Sequence, residues 1–161
     1  AEGMDAAIHS GRGDWPGGRA TLLMHERVVP VGAPALAAQL AAGRGLNDLP
    51  VLALASRPQA WTDWRTRTGQ PGPGVAPLMR FEQVATLAQA AAAGMGVALM
   101  PAFLIRPELD SGTLCVLGEE RPSGFGYYFI EPEPAPGHPA KRAVSQFRDW
   151  LLTEIARDTV V

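Results

Sequence analysis

Three histidines, one cysteine and an adjacent acid pair are the residue types in this chain that most often carry chemistry, and their spacing does not suit it. His9, His25 and His138 are too scattered for a metal motif and have no cysteine partners at ligand spacing. Cys115 sits in the apolar run Thr113-Leu114-Cys115-Val116-Leu117, with no neighbouring charge to stabilise a thiolate, so it reads as a packed strand residue. Gly11-Arg12-Gly13 lacks the third glycine of a dinucleotide fingerprint, and neither a nucleophile elbow nor a phosphate loop occurs. Arg12-Gly13-Asp14 matches an adhesion signal by coincidence, and Glu119-Glu120 reads as a solvated turn. No catalytic constellation, metal site or cofactor is expected. The chemistry that remains is recognition of a small molecule by polar groups at the ends of strands.

The candidates for that recognition are eight. Arg80, Phe81, Glu82 and Gln83 stand where a helix is expected to begin, and unpaired N–H groups at a helix start point toward whatever lies ahead. Phe81 and Gln83 are taken as contacts; Glu82 serves as a first-turn acid that already answers the helix dipole. Tyr127, on the last strand, offers a hydroxyl that donates or accepts, set against the plainer role of a tyrosine packed on a surface. His9 and Ser10 end the first strand. Ser56 and Arg57 follow an apolar strand, with helix capping as the competing role for Ser56. Met100 ends another buried strand as a wall residue.

These positions depend on the elements around them. Residues 4–9 read as a strand leading into a loop at Ser10-Gly11-Arg12-Gly13, and Trp15-Pro16-Gly17-Gly18 continues that loop. Residues 22–31 read as a strand with Pro30 near an edge or crossing point. An alanine-rich helix runs from Pro34 to Gly43, and residues 49–55 form the uninterrupted apolar run of a strand covered on both faces. Ser56 and Pro58 suit the start of a helix in which Trp61 and Trp64 share a face. A Gly/Pro-rich connection covers residues 69–77, a short strand 77–80, and the clearest helix 81–93, closed by Gly94. Strands are expected at 96–101, 113–117 and 126–131, with turns at 107–112 and 119–121. A proline-rich segment at 132–139 leads to a helix over 140–156 with Val144, Phe147, Leu151 and Ile155 inward. Strand and helix alternate, so the class is α/β with a largely parallel sheet.

Composition narrows the function. The 161 residues carry a formal charge of −2 and no basic run, so the chain by itself is not expected to bind DNA. A single cysteine cannot form an internal disulfide, which suits a reducing compartment. No signal peptide or membrane span is visible, because the longest apolar run is broken by glycine and proline. Ala1-Glu2-Gly3 leads straight into strand-like sequence, which reads as a fragment.

Three stretches, in this order, resemble LysR-type bacterial transcriptional regulators, in the branch that includes regulators of glycine cleavage and of β-lactamase induction. The first is Met4-Asp5-Ala6-Ala7-Ile8-His9-Ser10-Gly11-Arg12-Gly13-Asp14-Trp15-Pro16-Gly17, similar to the family's D-x-A-I-R-x-G-x-G-x-W-P-G, with Val29-Pro30-Val31-Gly32-Ala33-Pro34-Ala35-Leu36 beyond it. The second is residues 81–104, with the A-A-x-A-G-x-G-V-A-L-x-P pattern. The third is Tyr127-Tyr128-Phe129-Ile130-Glu131-Pro132 followed by Phe147-Arg148-Asp149-Trp150-Leu151. His9 departs from the arginine common in the family.

The resemblance implies a two-lobe, periplasmic-binding-protein-like (type 2) α/β fold with an effector between the lobes. It places the first lobe at residues 1–31 and 133–161 and the second at 32–132. The first lobe is then incomplete, lacking the family's opening strand–helix–strand, and the helix-turn-helix is absent, so DNA would be reached only through that missing part. The function implied is the effector-sensing domain of a cytoplasmic regulator that forms dimers or tetramers, with no membrane partner. The competing reading is an extracytoplasmic solute-binding protein of the same two-lobe class; an enzyme on an α/β scaffold is a distant third. The strand at residues 4–9 is expected to be an edge prone to pairing with another chain.

Overall fold

A strand flanked on both faces must be apolar at nearly every position, and the run around residues 51–54 meets that demand. The computed structural model describes residues 4–69, 76–133 and 141–158. The chain forms two compact units, Arg27–Ser123 on the one hand and Ala1–Glu26 with Gly124–Val161 on the other. It passes between them within two long strands, β2 (Gly18–Gly32) and β7 (Arg121–Pro132). A shorter strand, β1 (Ala7–Gly11), precedes them.

In the Arg27–Ser123 unit, β3 (Val51–Leu54) is paired in parallel with both β4 (Met79–Phe81) and β5 (Val97–Pro101). The second half of β2 pairs antiparallel with β5, from Val28↔Pro101 to Val31↔Ala98, and with β6 (Cys115–Val116). The order is therefore β2–β5–β3–β4 with β6 beside β2. The sheet is mixed, and the expectation of a largely parallel one is corrected: parallel pairing is confined to the neighbours of β3. Strand sense depends on which distant strands become neighbours, and no local pattern records that.

Side chains alternate across this sheet with period two. Val29, Val31, Leu52, Ala98 and Met100 join a buried cluster with Leu87, Ala88 and Ala91 of α3 (Val84–Ala92). Val28, Val51, Val97 and Leu99 join a second cluster with Leu36 of α1 (Pro34–Ala41) and with Trp61 and Trp64 of α2 (Ala60–Thr68). Both indoles meet edge to face at 6.0 Å, and each ring N–H finds a carbonyl, Trp61 donating to Leu52 O at 3.1 Å and Trp64 to Glu119 O at 2.9 Å.

Several boundaries differ from expectation. Helix α2 starts at Ala60 behind Gln59, so Ser56 and Pro58 belong to the preceding turn and Ser56 caps nothing. Helix α3 starts at Val84, because Phe81 is held in the ladder by Ala55 N–H donating to Phe81 O at 2.8 Å. The expected turn at 107–112 instead contains the short helix α4 (Arg106–Asp110) with Pro107 in its first turn, where its missing N–H costs nothing. The strand around Cys115, which is half-buried, shrinks to two residues. Gly94 follows α3 with the expected positive φ, +78°.

Pro30 is buried inside β2, not at an edge, a few residues past the point where that strand passes between the units. Its carbonyl accepts from Leu117 N–H at 2.8 Å. In an antiparallel strand a residue's N–H and C=O point to the same flank, so the missing donor faces the two-residue β6 and not the longer ladder with β5.

In the other unit β1 pairs antiparallel with β7, from Ala7↔Ile130 to Gly11↔Gly126, and β2 is the other neighbour of β7. The first strand thus starts three residues later than expected and ends two later, taking in Ser10 and Gly11, since β7 offers partners as far as Gly126. It ends the sheet order, with β7 as its one neighbour among the described strands. Helix α5 (Arg142–Asp158) packs through Phe147, whose ring lies 6.1 Å from the buried Phe129. Phe147 is nevertheless 47% exposed, where inward packing was expected, and Trp150 is 54% exposed. The buried Glu131 carboxylate receives Arg148 Nη1 at 3.1 Å and pairs also with Arg19. The connection expected at 69–77 and the proline-rich segment at 132–139 lie for the most part outside the described residues.

Candidate functional site

Each unit brings part of the expected set together. In the Arg27–Ser123 unit β3 and β4 run side by side, Leu54 opposite Phe81, and both end at the same rim. Ser56, which is exposed, and Arg57, half-buried, occupy the turn leaving β3, closed by Arg57 N–H donating to Leu54 O at 3.0 Å. Two residues past Phe81, Gln83 is the N-cap of α3 in extended conformation (φ −123°, ψ 142°). Its carbonyl accepts from Leu87 N–H at 3.1 Å and from Thr86 Oγ1 at 2.9 Å. Its exposed side chain makes no capping bond. Carboxyl ends of parallel strands beside a helix start are where open α/β sheets hold ligands, because unsatisfied N–H groups and loop side chains gather there.

Phe81 and Met100 take different parts. Phe81 is half-buried and packs on the α3 cluster, and Met100 is 0% exposed within that cluster. Both lie behind the rim.

In the other unit the pairing register separates two adjacent candidates. Ser10 stands opposite Tyr127, and His9 opposite Tyr128. Directly opposed residues share a face and successive ones alternate, so Ser10 and Tyr127 lie on one face and His9 on the other. His9 is exposed, with Nδ1 2.8 Å from Ser10 O, and its ring meets the edge of Trp15 at 6.0 Å. Trp15 in turn lies 5.0 Å from Tyr128. Gly11 makes room for this stack: a Cβ there would sit 2.5 Å from the Trp15 ring.

The Ser10–Tyr127 face holds charge that the sequence did not single out. Tyr127 hydroxyl donates to Glu26 Oε2 at 2.9 Å, and Glu26 is only 4% exposed. The Arg12 guanidinium lies over the Phe125 ring at 5.0 Å, and Phe125 shares the face of Tyr127 by alternation. The available signal for Glu26 was an acid embedded in the apolar-rich strand Leu22-Leu23-Met24-His25-Glu26-Arg27-Val28-Val29. Such an acid is a group that needs a partner wherever it is buried. Among the described residues no group of three or more His, Cys, Asp or Glu side chains is placed to hold a metal ion.

The Arg27–Ser123 unit therefore gathers a hydroxyl, an amide and an arginine at one rim, and the other unit sets a hydroxyl pair beside a buried carboxylate; each is a set of polar groups suited to recognising a polar small molecule. Comparison with known proteins agrees. The transcriptional activator AmpR of Rhodobacter capsulatus is 32% identical over 155 residues, 96% of this chain and 52% of that protein. The glycine cleavage system transcriptional activator of Escherichia coli K12 is 30% identical over 165 residues, 98% of this chain and 52% of that protein. The chain thus spans about half the length of the curated relatives it matches. Among solved structures, the effector domain of AmpR from Pseudomonas aeruginosa superposes with a TM-score of 0.84 at 28% identity, covering 98% of this chain and 74% of that one. The fold class is accordingly the α/β, periplasmic-binding-protein-like type 2 class of such regulatory domains. The model of the LysR substrate binding domain matches residues 1–156, and with the fold, the strand-end polar groups and the named relatives all in accord, the chain belongs to that family.

Proposed function

We propose that this chain is the effector-sensing domain of a LysR-type transcriptional regulator and binds a small polar molecule without transforming it. The observation that carries the reading is the family match over residues 1–156, whose relatives are named as transcriptional regulators. That match favours regulation over the solute-binding alternative. The side chains we assign to recognition are Ser10 and Tyr127, the tyrosine bonded to Glu26, in one unit, and Ser56, Arg57 and Gln83 in the other. Phe81 and Met100 support the rim by packing, and His9 stiffens the loop through Trp15.

On this reading the protein acts in the cytoplasm as a dimer or tetramer, and DNA contact belongs to a helix-turn-helix of the kind the names of the relatives record. No helix among the described residues is long and apolar enough to cross a membrane. A ligand favours whichever state it binds better, and that difference in contacts is the whole of its regulatory leverage.

A thermal-shift screen with aliphatic carboxylates, amino acids and aromatic acids tests the proposal. One class should raise the melting temperature, with about 2.7 kcal/mol of added stability at a hundredfold excess over Kd. Tyr127→Phe, which removes one hydrogen-bonding group, should weaken that binding by about tenfold. If none of the three classes stabilises the protein, the sensing role fails.

A further inference from the structure

The row of side chains around Ser10 and Tyr127 has two electrically opposite ends. Gly11 pairs with Gly126, and one further step of the same register sets Arg12 beside Phe125, where its guanidinium carbon lies 5.0 Å from the ring centroid. Period two puts Arg12 on the face of Ser10, and Phe125 on the face of Tyr127. All four residues, with Glu26, belong to the same compact unit.

Each end permits one kind of contact. Arginine donates and never accepts. Arg12 is exposed, and no acid among the described residues forms an ion pair with it. Phe125 holds the guanidinium by ring attraction and supplies no oxygen that a bound anion would have to displace. Tyr127 behaves in the opposite way. A phenol has one hydrogen, and this one is donated to Glu26 Oε2 at 2.9 Å. Any group of a bound molecule that meets the phenol oxygen must therefore donate to it. Glu26, 4% exposed, lies behind that bond and polarises the hydroxyl, which makes the oxygen a stronger acceptor. The carboxylate also favours a positively charged donor over a neutral one. Successive positions on one face of a strand are about 6.8 Å apart, so the two ends suit a molecule whose own opposite charges are a few bonds apart.

We propose that this face selects a free amino acid, its carboxylate held by Arg12 and its ammonium donating to the Tyr127 oxygen in front of Glu26. The inference rests on the sensing role and narrows it. A carboxylic acid without an amine leaves the tyrosine end unmet, and the primary amide of an amino acid leaves Arg12 without its anion.

Calorimetric titration of the chain with three matched sets tests it: the common amino acids, their primary amides, and the desamino carboxylic acids with the same side chains. At least one amino acid should bind about tenfold or more tightly than both of its counterparts, the effect expected of one charged hydrogen bond. Arg12→Gln, at an exposed position, should abolish the preference over the amide and keep the preference over the desamino acid. Glu26→Gln should do the reverse, and Tyr127→Phe gives the same reading if the change at the buried Glu26 prevents folding. Equal or tighter binding of an amide or a desamino acid by the wild type overturns the proposal and leaves the sensing role standing. So does an Arg12→Gln protein that still discriminates against the amide. A Glu26→Gln protein, folded by circular dichroism, that still discriminates against the desamino acid overturns it equally. Binding of none of the three sets overturns it as well, and the thermal-shift screen then decides whether the sensing role falls with it.

Discussion

In the Arg27–Ser123 unit the buried side chains are mainly valines, leucines and alanines, with Met100, Ile105, Pro30 and two tryptophans among them. In the other unit, among the described residues, the buried apolar side chain is Phe129, and the buried carboxylates of the chain, Glu26 and Glu131, both lie there. The first unit is held by area removed from water, a non-directional force that tolerates changes of shape at constant volume. The second is held by directed bonds between a few groups, so it tolerates changes of shape worse than its small core suggests and changes of chemistry worst of all.

The largest effects should expose that difference. Trp64→Ala should destabilise its unit by about 3–5 kcal/mol in urea unfolding, and no second substitution nearby should repair the void. Glu131→Leu should cost somewhat less, about 2–3 kcal/mol, because Arg148, only 18% exposed, loses its buried partner but keeps the exposed Asp149. The repair here is chemical: Glu131→Leu with Arg148→Met should recover most of the loss, since an apolar pair needs no compensation. If the double variant is as unstable as the single, the directed-bond picture of that unit is wrong.

Two glycines sharpen the contrast. A Cβ at Gly96 would meet the Pro50 carbonyl at 2.5 Å, backbone against backbone, whereas one at Gly11 would meet the Trp15 ring at 2.5 Å. Gly96→Ala should cost about 2–3 kcal/mol, at the upper end for overpacking, and Gly11→Ala nearer about 1 kcal/mol, because the ring can swing aside. Tryptophan fluorescence of Gly11→Ala should report that movement, and a rigid, unshifted spectrum would count against it.

Conservative repacking comes next in size. Met100→Leu should change stability by less than about 1.5 kcal/mol and leave effector affinity unaltered, as its burial behind the rim requires. The smallest effect is expected at the start of α3: Gln83→Ser supplies the capping oxygen that Gln83 withholds and should add about 0.5–1 kcal/mol. Weakened effector binding in the same variant would mark Gln83 as a contact.

What could be read from the residues alone follows from what is local. The run at 51–54, the Trp61–Trp64 spacing and the turn at Gly94 are local patterns, and each has its expected form in the fold. The long extent of β2 through Gly18-Arg19-Ala20-Thr21 was not legible, because polar residues become strand only when β7 is there to pair with them. Ser10 and His9 are grouped as a strand end; once the strand is known to reach Gly11, period two alone separates them. Arg19 and Glu131 are 112 positions apart, and nothing short of the fold brings them together. Ser56, Arg57 and Gln83 are singled out one by one because strand ends are visible locally, but that they share a rim follows from the parallel pairing of β3 with β4, which no local pattern records; the buried Glu26 likewise needed Tyr127 to be placed before its role had a shape.

The two passages of the chain, within β2 after Glu26 and within β7 after Ser123, impose an order of events during synthesis. A chain emerging from its amino terminus makes residues 7–11 first, yet their ladder partners at 126–130 come more than a hundred positions later. All of Arg27–Ser123 is complete before those partners exist, and its contacts are the shorter-range ones that close quickly. The apolar unit is therefore the template, and the β1–β7 ladder closes after it. Slowed elongation past residue 123 should therefore lower the soluble yield while leaving the purified product unchanged.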